Sequence, residues 1–273
     1  MHTKVNELCL EVIKKMSIND YSNTLNLGEQ LWDFQDVRAL LDEFLELYNE
    51  RPILDNFGGM SSTHLFWTWY ILRKLSPKNI IESGVFKGQG TWLMAKVCPE
   101  ANIFSIDPNL ARRVYINNNV KYFSEDFSFI NWNDILEPED TICFFDDHQN
   151  AYLRLQQMKW MGFKKAIFED NYPESQGDCY SCKKILTGCG LKINGQEKIA
   201  ANMTHAQYFV ENVKRYTTLP PLFKNEFTRW GDEWNDENYP TPPAILNDKD
   251  IEQYKIVKNE GGGYTWICYL ELV

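Results

Sequence analysis

Thr141-Ile142-Cys143-Phe144-Phe145-Asp146-Asp147-His148 and, further on, Lys165-Ala166-Ile167-Phe168-Glu169-Asp170-Asn171 decide how this chain folds. Each is an apolar run that stops at acids, as a buried strand does at the edge of a sheet. Between them Ala151 to Met161 reads as a helix. Strand, helix, strand makes a right-handed crossover unit, so the two strands run parallel and their carboxyl ends share one edge. The acids that end them then converge on one crevice. Carboxylates gathered at one point repel each other unless a hard divalent cation such as Mg²⁺ or Ca²⁺ sits between them.

Working outward, the same alternation holds upstream. Lys78 to Ser83 reads as a strand, Gly90 to Val97 as a helix, Ala101 to Ile106 and Val120 to Phe123 as further strands. Residues 1 to about 55 carry helical spacing, at Leu8, Val12, Ile13 and Met16 and again at Leu40, Leu41, Phe44, Leu45 and Tyr48. A glycine loop, Asn56 to Ser62, precedes an apolar helix over Thr63 to Lys74 that contains His64. A hydrogen-bonded core histidine is the simpler reading of His64. Lys255 to Lys258 and Tyr264 to Leu272, joined through Gly261 to Gly263, read as an antiparallel hairpin. The expected fold is therefore α/β: a Rossmann-like, doubly wound, mostly parallel sheet with a C-terminal antiparallel hairpin and N-terminal helices. We divide it into a helical extension and lid (residues 1–75) and a Rossmann-like domain (76–273). The domain carries an aromatic, proline-rich insert at about 217–250 that contains Trp230, Trp234 and Tyr239.

Composition narrows the class. Apolar residues at 44% and aromatics at 14% suffice for a packed core. A net charge of −10 disfavours nucleic acid, whose phosphates need a basic partner. No apolar run approaches the roughly 20 residues of a membrane span. The first residues do not form a signal peptide, and seven scattered cysteines suit a reducing compartment, so a cytoplasmic location is expected. Cys179, Cys182 and Cys189 begin like a zinc motif but lack an evident fourth ligand, so free thiols are the preferred reading.

The crevice has a second half. The first strand runs into Glu82-Ser83-Gly84-Val85-Phe86-Lys87-Gly88-Gln89-Gly90-Thr91. Glycines at 84, 88 and 90 permit a tight turn and close approach of a ligand to the backbone. The spacing is not the dinucleotide fingerprint. Glu82 before the turn suits the ammonium group of an amino-acid-bearing cofactor better than a pyrophosphate. Asp107, which ends the second strand 25 residues later, is placed to accept from a ribose diol. Asp126, in the Ser124-Glu125-Asp126 end of the third, is placed to meet an adenine amine. Any one strand-end acid can simply be solvated; three in register point to a cofactor.

Glu82-x-Gly84, Asp107 and the acid after the next strand resemble the signature of class I S-adenosylmethionine-dependent methyltransferases. The acid clusters at 146–148 and 169–171 resemble the metal positions of catechol and caffeoyl-CoA O-methyltransferases and of the cephalosporin hydroxylase and sugar O-methyltransferase family. The resemblance covers about residues 55 to 175. It implies S-adenosylmethionine held by Glu82, Gly84, Gly88, Gly90, Thr91, Asp107, Asp126 and Asp146, and Mg²⁺ held by Asp147, Asp170 and Asn171, or by Glu169 and Asp170. Neighbours on a strand face opposite ways, so the sequence leaves open which of Asp146 and Asp147, and which of Glu169 and Asn171, meet the metal. His148 and Asp147 are the candidates for chemical roles, although His148 also suits a helix cap, and Lys159 sits on a solvated helix position.

The expected activity is metal-assisted O-methylation of a hydroxyl on a sugar, glycan or other small molecule, in a protein that takes no nucleic acid or membrane partner. A homo-oligomer is compatible with this reading. The alternatives are a metal-dependent hydrolase or hydroxylase on the same scaffold, or a non-catalytic binding module. Four scattered histidines supply a redox-metal triad poorly. The loops 56–62 and 172–180 flank the crevice and could close over a substrate.

Overall fold

The computed structural model describes residues 17–18, 25–235, 239–261 and 266–273. Its first elements are a two-stranded ribbon, β1 (Ser17–Ile18) with β2 (Leu25–Asn26), and two helices, α1 (Phe34–Asn49) and α2 (Ser62–Leu75). Helix α1 starts where the Asp33 side chain accepts from the amides of Gln35 and Asp36, satisfying donors that the first turn cannot. It buries Val37, Leu41, Phe44 and Tyr48, a stripe of helical period. Helix α2 is buried without a break from Ser62 to Leu72, because it lies between the sheet and an outer layer. The helical expectation for 1–55 is thus met over 34–49 but not at 17–18 and 25–26, which pair as strands; Leu8, Val12, Ile13 and Met16 lie outside the described residues.

The sheet itself follows the alternation closely. Strands β3 (Asn79–Ser83), β4 (Asn102–Ile106), β5 (Lys121–Phe123), β6 (Thr141–Phe145) and β7 (Lys165–Phe168) are parallel. Helix α3 (Gln89–Val97) joins β3 to β4, and α4 (Ala151–Met161) joins β6 to β7. Beyond β7 come α5 (Cys182–Thr187), a small hairpin of β8 (Leu191–Ile193) and β9 (Gln196–Ile199), α6 (Met203–Asn212), β10 (Val213–Thr218), α7 (Lys255–Asn259) and β11 (Cys268–Leu272). The seven-stranded order is β10-β11-β7-β6-β3-β4-β5, and β11 alone runs against its neighbours. The expected antiparallel C-terminal closure is present, with one change of arms. Residues 255–259 are helical, burying Tyr254 and Val257 at a spacing of three, and the partner of β11 is β10.

Alternate side chains of each strand feed opposite faces. Ile80, Ile103, Ile142 and Ile167 join α1, α2 and α3 in one core. Ile81, Phe104, Cys143, Phe145 and Ala166 join α4, α5 and α6 in the other. Strand β3 is the switch point: the chain winds from it to β4 on one side and to β6 on the other. That geometry opens a crevice above the carboxyl ends of β3, β4 and β6. Among the described residues no helix is long and apolar enough to cross a membrane.

Candidate active site

The glycine turn and the acid cluster meet at backbone level. Gly84 has φ +103°, and a Cβ there would lie 2.0 Å from the carbonyl oxygen of Asp146. Only glycine lets the end of β6 come so close, where the Asp146 amide donates to the Ser83 carbonyl at 2.8 Å. Gly88 (φ +93°) caps α3, with the Tyr115 carbonyl 2.6 Å from where its Cβ would be, and Gly90 lies under Met60 and Glu82.

Glu82 and Asp107 both organise this turn. Asp107 accepts from the amides of Val85 (3.1 Å), Phe86 (2.9 Å) and Asn109 (2.7 Å). Those bonds hold Phe86 at φ +49°, a conformation costly for a bulky residue. Glu82 accepts from Thr91 Oγ1 at 2.6 Å and Ser105 Oγ at 2.5 Å, and only 1% of it is exposed. The expectation that Glu82 projects toward a ligand is therefore corrected: it faces inward, and burial pushes its carboxyl up to about 7. Beside it, both amide atoms of Gln89 are buried without a hydrogen-bond partner among the described residues. An unsatisfied amide in the first turn of α3 fits a polar ligand group at this turn.

On the other side Asp146, His148 and Asp170 each offer a ligand atom, and those atoms lie within 4.8 Å of one another. The His148 amide donates to Asp170 Oδ2 (3.3 Å), its Nδ1 pairs with Asp178 Oδ1 (2.9 Å), and its φ of +52° turns it back toward the cluster. Tyr172 donates its hydroxyl to Asp170 Oδ1 at 2.7 Å. Glu169 hydrogen-bonds Nδ1 of the buried His64. Burial and then the neighbouring carboxylates hold Asp146 and Glu169 well above the usual carboxylate range. Burial also drives His64 down to about 3, so its contact with Glu169 is a neutral hydrogen bond, not an ion pair. Asp178, as hydrogen-bond partner, raises His148 to about 10. Crowded oxygen donors with an imidazole at the rim are a donor set that fits a hard divalent cation.

Three sequence candidates are directed elsewhere. Asp147 turns to Arg154, Ser83 and the Gln149 amide. Asn171, past the end of β7, turns away from the cluster to bond Tyr216 and the Lys183 amide. Asp126 caps the turn at Phe127–Phe129 and pairs both oxygens with Arg154. His148 does not cap α4, because Asn150 does. Lys159 donates to Asn212, far from the crevice in the chain's fold. The thiols diverge, Cys179 to the Asp170 carbonyl and Cys189 to the carbonyls of Lys184 and Gly190, and the Asp146 cluster is the one metal-like group among the described residues.

A cavity of about 1190 Å³ opens beside the cluster, with His64 and Glu169 on its wall. The 56–61 loop and residues 224–229 of the long excursion form its sides, with Phe57 and Phe227 exposed at them. Arg229 also lines it and acts electrostatically on both Glu169 and His64. The 172–180 loop is pinned down instead of standing open. Lys184 donates to the carbonyls of Gln176 (2.5 Å) and Cys179 (2.9 Å), and Ser181 donates to that of Tyr172 (2.5 Å). Trp234 stacks on Trp266 at 4.6 Å within the core, whereas Trp230 is half exposed and meets Tyr172 edge-on at 5.1 Å. Sequence reasoning missed Arg154, Tyr172 and Asp178; for Arg154 the signal was a lone arginine on the buried face of α4, at Ala151, Leu155 and Met158 spacing.

No family model matches the chain, and no curated protein matches it. Among solved structures, an O-methyltransferase from Bacillus cereus in complex with SAH is 13% identical at a TM-score of 0.45, over 86% of this chain and 91% of that one. A putative O-methyltransferase from Klebsiella pneumoniae is 11% identical at 0.44, over 85% and 89%. CmcI, in a form described as D160 Mg-SAM, is 22% identical at 0.32, over 46% of this chain and 65% of that one. The chain spans 52% to 66% of the CmcI chains it matches, less than two thirds of their length. The strand order, the single reversed strand and the glycine turn at the switch point define a Rossmann-like, doubly wound fold. A fold of this kind fixes the scaffold and not the reaction.

Proposed function

We propose that the protein is an S-adenosylmethionine-dependent O-methyltransferase, assisted by a divalent cation, whose acceptor is a hydroxyl of a sugar, glycan or other small molecule. The observation that carries this reading is the convergence of Asp146, Glu169 and Asp170 beside a glycine turn at the sheet's switch point. Like charges so crowded need protons or a cation, and Glu169 of this group also lines the cavity.

When bound, the cofactor supplies an electrophilic methyl group and the cation a Lewis acid that lowers the acceptor hydroxyl's pKa. The chain's residues supply the geometry. The turn from Gly84 to Thr91, locked by Asp107 and Glu82, holds the cofactor, with Gln89 offering an unsatisfied amide. Asp146, His148 and Asp170 are the residues that would hold the cation, each offering one ligand atom. Glu169, oriented by His64, faces the cavity that takes the acceptor. The half-exposed Trp230 and the exposed Phe57 and Phe227 offer apolar faces on which a sugar ring can stack. Asp147, bonded to Arg154 and Ser83, would support the site from behind the ligating acids.

Calorimetric titration with S-adenosylmethionine, with and without Mg²⁺, tests this. Cofactor binding that tightens with Mg²⁺ and loses that dependence in Asp170→Ala supports it. Absence of binding in both conditions sinks it, and binding indifferent to Mg²⁺ and to Asp170→Ala removes the cation while keeping the transferase.

A further inference from the structure

Arg154 has all of its side-chain donors engaged. It lies on α4 with 4% of its side chain exposed, and a guanidinium has five N–H donors. All five are used. Nε donates to Asp147 Oδ2 (3.0 Å), and Nη2 donates to Asp147 Oδ2 (2.8 Å) and Asp126 Oδ2 (2.5 Å). Nη1 donates to Asp126 Oδ1 (3.0 Å) and Gln157 Oε1 (2.9 Å). The rings of Phe127 and Phe145 lie 5.5 and 5.6 Å from its central carbon. No donor remains for a ligand, so whatever Arg154 does for function it does through its two carboxylates.

Those carboxylates belong to different walls of the crevice. Asp126 closes the loop after β5, on the cofactor side, and also binds the amide and hydroxyl of Ser128. Asp147 follows Asp146, whose backbone rests on Gly84 and whose carboxylate belongs to the acid cluster. We propose that Arg154 is a positioning residue that fixes the loop after β5 and the loop after β6 in one register, so that the cofactor-side and cation-side subsites depend on each other through it. The identity of the two ligands rests on the methyltransferase reading; the linkage rests on the contacts alone. Lysine cannot replace it, since one ammonium cannot span both carboxylates with a planar fork.

The experiment measures S-adenosylhomocysteine affinity by calorimetry and Mn²⁺ affinity by electron paramagnetic resonance in the wild type, Arg154→Lys and Asp126→Asn. Circular dichroism checks each fold. Arg154→Lys is expected to weaken both ligands by about 10-fold or more, as loss of a residue that orients ligating groups does. Asp126→Asn leaves every bond of Asp147 in place, yet it is expected to weaken Mn²⁺ as well as the cofactor analogue. A folded Arg154→Lys that binds both ligands as the wild type does overturns the proposal, and so does an Asp126→Asn variant with unchanged Mn²⁺ affinity. If Arg154→Lys does not fold, Asp126→Asn decides alone. A wild type that binds neither ligand overturns the methyltransferase reading and the proposal with it, an outcome distinct from a wild type that binds both while the variants match it.

Discussion

Glu82 shows how a single buried carboxylate can make stability depend on pH. Its ordinary value is 4.5 and the folded value is about 7, chiefly through burial. Between those values the folded chain keeps a proton that the unfolded chain has lost, so stability falls as pH rises through this window. The favourable contribution is complete below the unfolded value and gone above the folded one. Glu82→Gln keeps an acceptor for Thr91 and Ser105 without titrating, so its melting temperature should fall less steeply than the wild type's between pH 5 and 8. Parallel melting curves for the two proteins would refute this. Gly84 presents a steric case. Alanine there would meet both an unfavourable φ of +103° and a carbonyl oxygen 2.0 Å away. Gly84→Ala should cost about 2 kcal/mol or more in urea unfolding; a cost within error of zero would mean that β6 and the turn move apart freely. At this scale the sequence was partly legible. Alternation said only that Glu169, Asp170 and Asn171 would not all face the cluster, and β7 ends at Phe168 before it can sort them. Asp126 and Asp147 carry no mark of their tie to Arg154, because that pairing joins residues 28 and 7 positions apart through the fold alone.

Elements were legible wherever burial imposed a clean period. Strands β3, β4, β6 and β7 have continuous apolar runs ended by acids, and each was expected within a residue or so of its observed bounds. Strand β10 was not. Its Lys214 and Arg215 dilute the apolar signal, and only Tyr216, Thr217 and Thr218 hint at a strand, so its residues were assigned in part to the insert. The short run at 255–258 misled in the other direction, since four residues cannot separate a period of two from one of 3.6. The 172–180 loop, expected to be able to close, is fastened by α5. Lys184→Met removes the donor to the Gln176 and Cys179 carbonyls. Hydrogen exchange of amides 172–180 should then quicken by about 10-fold, the equivalent of about 1.4 kcal/mol. Unchanged exchange would show that Ser181 and the packing of Tyr172 suffice.

For the molecule as a whole, the doubly wound sheet follows from the order of strands and helices, and its crevice follows from the reversal of winding at β3. The cavity wall does not, because it is assembled from the 56–61 loop and residues 224–229, which no local pattern brings together. Net charge reinforces the acid cluster: a chain of −10 with crowded carboxylates gains from a bound cation. Mg²⁺ at about 100 times its dissociation constant should add about 2.7 kcal/mol to unfolding, with removal by EDTA reversing it. The gain should be smaller at pH 5 than at pH 8, because Asp146 and Glu169 hold protons that the cation must displace. Thermal melts across pH with and without Mg²⁺ decide this; an equal gain at both pH values would place the cation elsewhere.

Strand β11 lies between β7 and β10 although about a hundred residues separate it from β7. The sheet therefore cannot zip outward strand by strand. Until residues 268–272 arrive, the free edge of β7 has no partner strand, and closing that span costs more loop entropy than any pairing between successive strands of the sheet. An edge left open in this way is the kind of surface that can pair with a strand of another molecule. The same strand that completes both cores is thus also the cover of the sheet's most exposed pairing edge.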